Sequence, residues 1–240
     1  GEDGDVVNRV DGPTSPGIHR VAWDLTHAAR GLVGPDDEGT DGELWALPGT
    51  YSATLVAIER GEEREIAGPV RFEVQPLYEG ALPRVSPQIV AQFRADYQEA
   101  QIRLDRAESL LEDQIERVGM LRTALMRASD PEAALVARLE EARQELLALR
   151  ERMDESEAMD EVGESGPPTP GDRLDAARSG LETTHGPTAM HRSMLEAALT
   201  ELGPIEAEIE RMAEQVVPEL EAALEAAGGP PLRRGGVGGR

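Results

Sequence analysis

Four histidines, at 19, 27, 185 and 191, and 47 carboxylates are the side chains through which this 240-residue chain could do acid–base or metal chemistry. A zinc hydrolase sets two His one helical turn apart around a Glu, as in H-E-x-x-H, so that both imidazoles reach one ion. That spacing does not occur. His19 falls in a strand-like stretch, His27 in a loop and His185 just ahead of a helix start. His191 lies on a helix, but Glu196 comes five residues later, off the i, i+4 face. Neighbouring carboxylates such as Glu62-Glu63 and Glu140-Glu141 are what chance supplies in so acidic a chain, whereas a glycosidase needs two that face one cleft. Asp36, Asp37, Glu38, Asp41 and Glu43 crowd GPDDEGTDGE (34–43). A calcium loop needs D-x-[DN]-x-[DN]-G with a Glu at position twelve, and that spacing is missing, so a solvated acidic loop is expected. A phosphate-cradling G-x-x-x-x-G-K-[ST] loop is impossible without Lys, and G-x-S-x-G is absent. The expectation is no catalytic, cofactor-binding or metal-binding residue, no cofactor, and no enzyme.

The charge narrows the partners. There are 24 basic residues, every one an Arg, and the net charge is −23. Nucleic-acid modules need a basic footprint, and anionic membrane surfaces attract basic segments, so neither partner is expected. No apolar run approaches the roughly 20 residues that cross a bilayer, so membrane insertion is not expected. Cysteine is absent, which excludes disulfides and thiolate metal sites. The opening GEDGDVVNRVDG has neither a basic nor an apolar signal region. Gly1 reads as an internal cut, with the true N-terminus expected upstream.

Aromatic residues concentrate between 23 and 78, and Ala, Leu, Glu and Arg dominate after 86. That shift predicts two domains. In the first, DVVNRV (5–10), GIHRVAWDL (17–25), TYSATLVAIE (50–59) and PVRFEVQP (69–76) read as strands, with GEERE (61–65) as a hairpin tip. Their period-2 alternation is the half-buried antiparallel pattern. Pro48-Gly49 reads as a turn whose Gly takes positive φ. Trp23 is expected to plug one end of a small two-sheet core, with Asp24 accepting from loop backbone N–H groups. A sugar-stacking platform of Trp23, Trp45 and Tyr51 is the functional alternative.

In the second domain Ser86-Pro87 supplies an N-cap and a first-turn proline. Apolar residues then recur at Ile89, Phe93, Tyr97, Ala100, Leu104, Ala107, Leu111, Ile115, Val118, Leu121 and Leu125. Asp130-Pro131 opens a second helix with a stripe at Leu135, Leu139, Ala142, Leu146, Leu149 and Met153. The short connection predicts antiparallel neighbours. DESEAMDEVGESGPPTP (154–170) reads as a flexible acidic loop, and GDRLDAARSGLETT as a short helical stretch. A last stripe follows at Met190, Met194, Ala198, Leu202, Ile205, Ile209, Met212, Val216, Leu220 and Leu224, interrupted by Pro204 and Pro218, where kinks are expected.

The stretches GIHRVAWDL and LPGTYSATLVAIERGEEREIAGPVRFEVQPL resemble the immunoglobulin-like domain that follows the β-propeller in bacterial sortilin-type, glycosyl-hydrolase-like repeat proteins. The Trp-Asp and Pro-Gly-Thr-Tyr pairing is also similar to the immunoglobulin-like module of flagellar hook-capping proteins. GPPTPGDRLDAARSGL, HGPTAMHRSMLEAALTEL and VVPELEAALEAAG resemble the helical tails of the sortilin-type family. That family usually has Trp-Asp-Leu-Arg; here Thr26 stands in place of the Arg, and 34–43 lengthens the loop.

The fold class expected is therefore α+β: a small antiparallel immunoglobulin-like β-sandwich over 1–76, lacking its first strand, then a linker at 77–87. An antiparallel bundle of about three long helices follows over 88–227, with a flexible acidic loop at 154–170 and a disordered tail at 228–240. The resemblance implies a secreted or periplasmic protein and an upstream β-propeller in the same chain as the partner. The function it implies is non-catalytic: to buttress or orient that propeller and to offer a protein-interaction surface, through the helices among others. Two alternatives stand beside it, a cut part of a glycoside hydrolase-like enzyme whose tail shapes the substrate cleft, and a free-standing oligomeric adhesion module.

Overall fold

The computed structural model describes residues 4–28, 44–76, 84–128, 132–153, 166–183 and 185–232. The acidic stretch 34–43, Asp130-Pro131, most of the 154–170 loop and the end of the tail lie outside the described residues. Helix accounts for 58% of the described residues. In chain order the elements are β1 (Thr26–His27), β2 (Leu44–Trp45), β3 (Gly49–Glu59), β4 (Glu62–Val74), α1 (Pro87–Leu125), α2 (Ala133–Met153), α3 (Pro170–Glu182) and α4 (Ala189–Arg211). A π-helical turn (Met212–Val216) then leads without a break into α5 (Val217–Ala226). The chain divides into two compact units, one of residues 1–98 with 177–192, the other of 99–176 with 193–240.

The expected immunoglobulin-like sandwich does not form. The described strands make two separate two-stranded sheets, β1 with β2 and β3 with β4. No strand forms over 5–10, and 17–25 is irregular, with Ile18 fully exposed and Leu25 at φ 67°. Alternation alone does not make a strand; its backbone N–H and C=O groups need a ladder partner. Here 5–10 has no ladder partner among the described strands; Val7 C=O accepts from Ala28 N–H at 2.9 Å. Gly49 is not a left-handed turn residue but the first rung of β3, paired with Val74. The hairpin turns at Arg60-Gly61, where φ values of 57° and 85° suit the primed two-residue turns that match strand twist. Glu62–Glu65, expected as the tip, belong to β4.

The helices follow their stripes. Ser86 Oγ accepts from Ile89 N–H at the start of α1. Phe93, Tyr97, Ala100, Leu104, Ala107, Leu111, Val118, Leu121 and Leu125 are buried, while Ile89, at the helix start, is exposed. All six stripe residues of α2 are buried. In α3, Thr169 and Asp172 form a reciprocal capping box: Thr169 N–H donates to Asp172 Oδ2 at 2.7 Å, and Asp172 N–H donates to Thr169 Oγ1 at 3.2 Å. The last stripe departs from expectation at its start and again at 216, while Leu220 and Leu224 are buried as expected. His191 and Leu195 are buried where Met190 and Met194 were expected, and Val217 replaces Val216. The π turn causes the second shift, since Val217 N–H bonds Met212 C=O five residues back instead of four. That wider turn gives room to Pro218, which has no N–H and whose ring would crowd the carbonyl one tight turn earlier.

Within the second unit, the order of Arg–Glu pairs shows helix direction. Arg103 pairs with Glu206 and Arg117 with Glu221, so α1 and the α4–α5 run are parallel. Arg138–Glu219, Arg211–Glu145 and Arg152–Glu208 run in opposite order, so α2 is antiparallel to the same run. Arg173–Glu201 ties α3 to α4 at 2.7 Å.

Candidate functional site

The first unit presents one long unsheltered element, the β3–β4 hairpin. Tyr51 lies opposite Phe72 and Ala53 opposite Val70, so these four share a face. Trp23 packs there, 5.5 Å from the Tyr51 ring and 6.1 Å from Phe72, and is itself half-buried. Its Nε1–H donates to Thr26 C=O at 2.9 Å, and Tyr51 O–H donates to Leu47 C=O at 2.7 Å. Trp23 is thus an aromatic brace on one hairpin face, not the plug between two sheets. Asp24 acts as expected: Oδ1 accepts from Thr26 N–H and Oγ1. Those bonds, the hydroxyl's first, hold its carboxyl below the usual range. Trp45 is 60% exposed and outside the aromatic cluster, so the three residues of a stacking platform do not come together.

Beyond that brace the hairpin is open. Glu62 through Glu73 of β4 are all exposed, apolar residues included. Across from them Leu55 and Ile58 are 57% and 64% exposed. The register slips twice: Leu55 faces Ala67 and Val56 faces Glu65, leaving Ile66 without an opposite residue. Near the turn Glu63 pairs with Arg9 at 2.6 Å and Arg64 with Glu59 at 3.7 Å. Outside this element, Arg94 of α1 is buried and donates to Trp45 C=O. Burial pushes its guanidinium pKa down.

The four histidines do not assemble. His19 is exposed and contacts Ser15 C=O through Nε2 at 2.7 Å. His27 sits in β1, and His185 and His191 flank the start of α4. His191 is buried, and its Nδ1 accepts from Thr188 N–H at 3.1 Å. Sequence reasoning missed this capping role. The signal was Thr188-x-x-His191, the capping-box spacing with imidazole in place of Glu or Gln. Among the described residues no group of three or more His, Asp or Glu is placed to hold a metal ion, and no helix is long and apolar enough to cross a membrane.

The chain matches no family model, no curated protein and no solved structure.

Proposed function

We propose that this is a non-catalytic accessory region that supports and orients a neighbouring folded body, with the β3–β4 hairpin as its attachment. The resemblance of the sequence suggests what that body is: an upstream β-propeller of the same chain, in a secreted or periplasmic protein.

One observation carries the reading. Strands of 11 and 13 residues stand with apolar side chains in water and, among the described residues, no third strand. A lone two-stranded ribbon is marginal in water, and a long edge with exposed Leu, Val, Ile and Phe is a template for pairing. The Arg–Glu pairs of the second unit support the other half of the reading, because they join neighbouring helices whose buried stripes already pack together, as a strut requires.

The test is hydrogen exchange over 49–74 in the 240-residue chain alone and in the same chain joined to its upstream propeller. Protection that rises in the joined protein supports attachment through the hairpin. Equal exchange, or an upstream reading frame without propeller repeats, overturns it.

A further inference from the structure

The connection from α3 to α4 is built around His191. The ring is 6% exposed and lies against Gly180 of α3 so closely that a Cβ on Gly180 would sit 2.5 Å from Nδ1. Nδ1 accepts from Thr188 N–H at 3.1 Å, and Nε2 lies 3.3 Å from Ser179 Oγ. One protonation state suits both contacts. Nδ1 must carry a lone pair to accept from a backbone N–H, so the proton sits on Nε2 and donates to Ser179. Thr188 Oγ1 also lies 3.3 Å from Nδ1 and can donate to the same lone pair; a second proton on Nδ1 can turn to that hydroxyl, but it breaks the bond from Thr188 N–H, at the positive end of the α4 dipole.

This ring closes a turn that is itself fastened to the start of α1. Thr183 Oγ1 donates to Gly186 C=O at 3.1 Å, and Arg192 Nη1 donates to Pro187 C=O at 2.9 Å. Val85 N–H donates to His185 C=O at 2.9 Å. Gly186, at φ 90°, packs so tightly on Val85 and Val90 that an added Cβ would meet both at 3.2 Å. Pro187 is fully buried.

We propose that His191 is an acid-sensitive latch: neutral, it caps α4 and holds the 185–188 turn against Val85 and Val90; protonated, it releases that turn.

The surrounding charges favour the neutral form. On its own segment stand His185 and Arg192, both cationic when protonated. On α3, Arg178 and Glu182 flank the contact and pair with each other at 3.4 Å. The α1 start contributes apolar Val85 and Val90 to the turn, with Arg84 just before them. Burial first, then His185 and Arg192, hold the His191 pKa below its ordinary value. For a His lowered in the folded state, the stabilising contribution is complete above the unfolded pKa of about 6.5 and drains away as pH falls through the folded value. The latch therefore opens on the acid side of about pH 6.5.

The test is an NMR titration of the His Hε1 resonances in the whole chain, with amide exchange over 185–191 corrected for intrinsic rate. His191 is expected to titrate below the ordinary histidine value of about 6.5. Its protonation is expected to speed exchange of the Thr188 amide about ten-fold, the cost of one lost hydrogen bond. His191→Gln restores the Thr-x-x-Gln capping box without a titrating ring, and should keep that amide protected in acid. A His191 that titrates normally, exchange in the wild type that ignores pH, or acid opening that persists in His191→Gln overturns the latch. The wild-type titration alone decides the matter if the variant does not fold.

Discussion

Arg103 grips Glu206 with two parallel hydrogen bonds, Nε to Oε1 at 3.0 Å and Nη2 to Oε2 at 2.5 Å, across 103 residues of chain. The fork matches the carboxylate, which a Lys could not do. The hydrogen bond to Glu206 raises the Arg103 pKa despite some burial. The pair is part-buried, with side-chain exposures of 36% and 22%, so it should exceed a typical surface pair. A double-mutant cycle with Arg103→Ala and Glu206→Ala is expected to give a coupling of about 1 kcal/mol by urea unfolding. A coupling near zero would mean that helix direction is set by the apolar stripes alone.

Asp172 should matter more than its place on a short helix suggests. It satisfies Thr169 N–H and the Thr169 hydroxyl, and Thr169 returns a bond to its own N–H. Asp172→Ala leaves a partly buried donor unpaired and should cost about 1 kcal/mol of unfolding free energy. Asp172→Glu, one methylene longer, should recover part of that loss if the reciprocal box is the cause. Equal losses in the two variants would point to a role other than capping.

The helical half of this protein was legible because period alone defines it. Leu135, Leu139, Ala142, Leu146, Leu149 and Met153 recur at helical spacing, and the helix makes its own hydrogen bonds whatever surrounds it. The sheet half was not. Val21, Trp23 and Leu25 alternate on one face, but a strand exists only where another strand completes it, and no local pattern says whether one will. The hairpin could be seen in the alternation of 50–59 and 69–76. Its exposure could not, because covering a face is a property of neighbours. His191 was hidden for a related reason: Thr-x-x-His becomes a cap only where burial keeps the ring neutral.

Gly180 tests that packing from the other side. Ala is normally the better helix residue by about 1 kcal/mol, so Gly180→Ala would be stabilising on propensity alone. Here the new Cβ meets His191 Nδ1, Cγ and Cβ at 2.5, 2.7 and 3.0 Å, atoms of a stiff, buried ring. The clash should dominate, leaving a net loss of about 1–3 kcal/mol by urea unfolding. Gly119, with open space around its Cβ position in α1 and no proline after it, is the control: Gly119→Ala should stabilise. Stabilisation by both would mean that the ring moves aside easily.

Val216 and Val217 give the sharpest contrast between pattern and structure. A strict helical stripe steps from Met212 to Val216 to Leu220. The π turn adds one residue, so that Val217 is fully buried beside Met212 and Leu220, and Val216 is only half-buried. Both substitutions to Ala remove the same two methyl groups and barely differ in helix propensity, so their difference reads burial alone. Val217→Ala should cost about 2 kcal/mol, and Val216→Ala less than about 1. Pro218→Ala restores an N–H that can bond four residues back, and with it the choice of an unbroken α-helix. In that background the regular stripe competes with the widened turn, and the gap between the two valines should narrow. The same gap with and without Pro218 would show that packing against the facing helices, and not the proline, holds the extra residue in place.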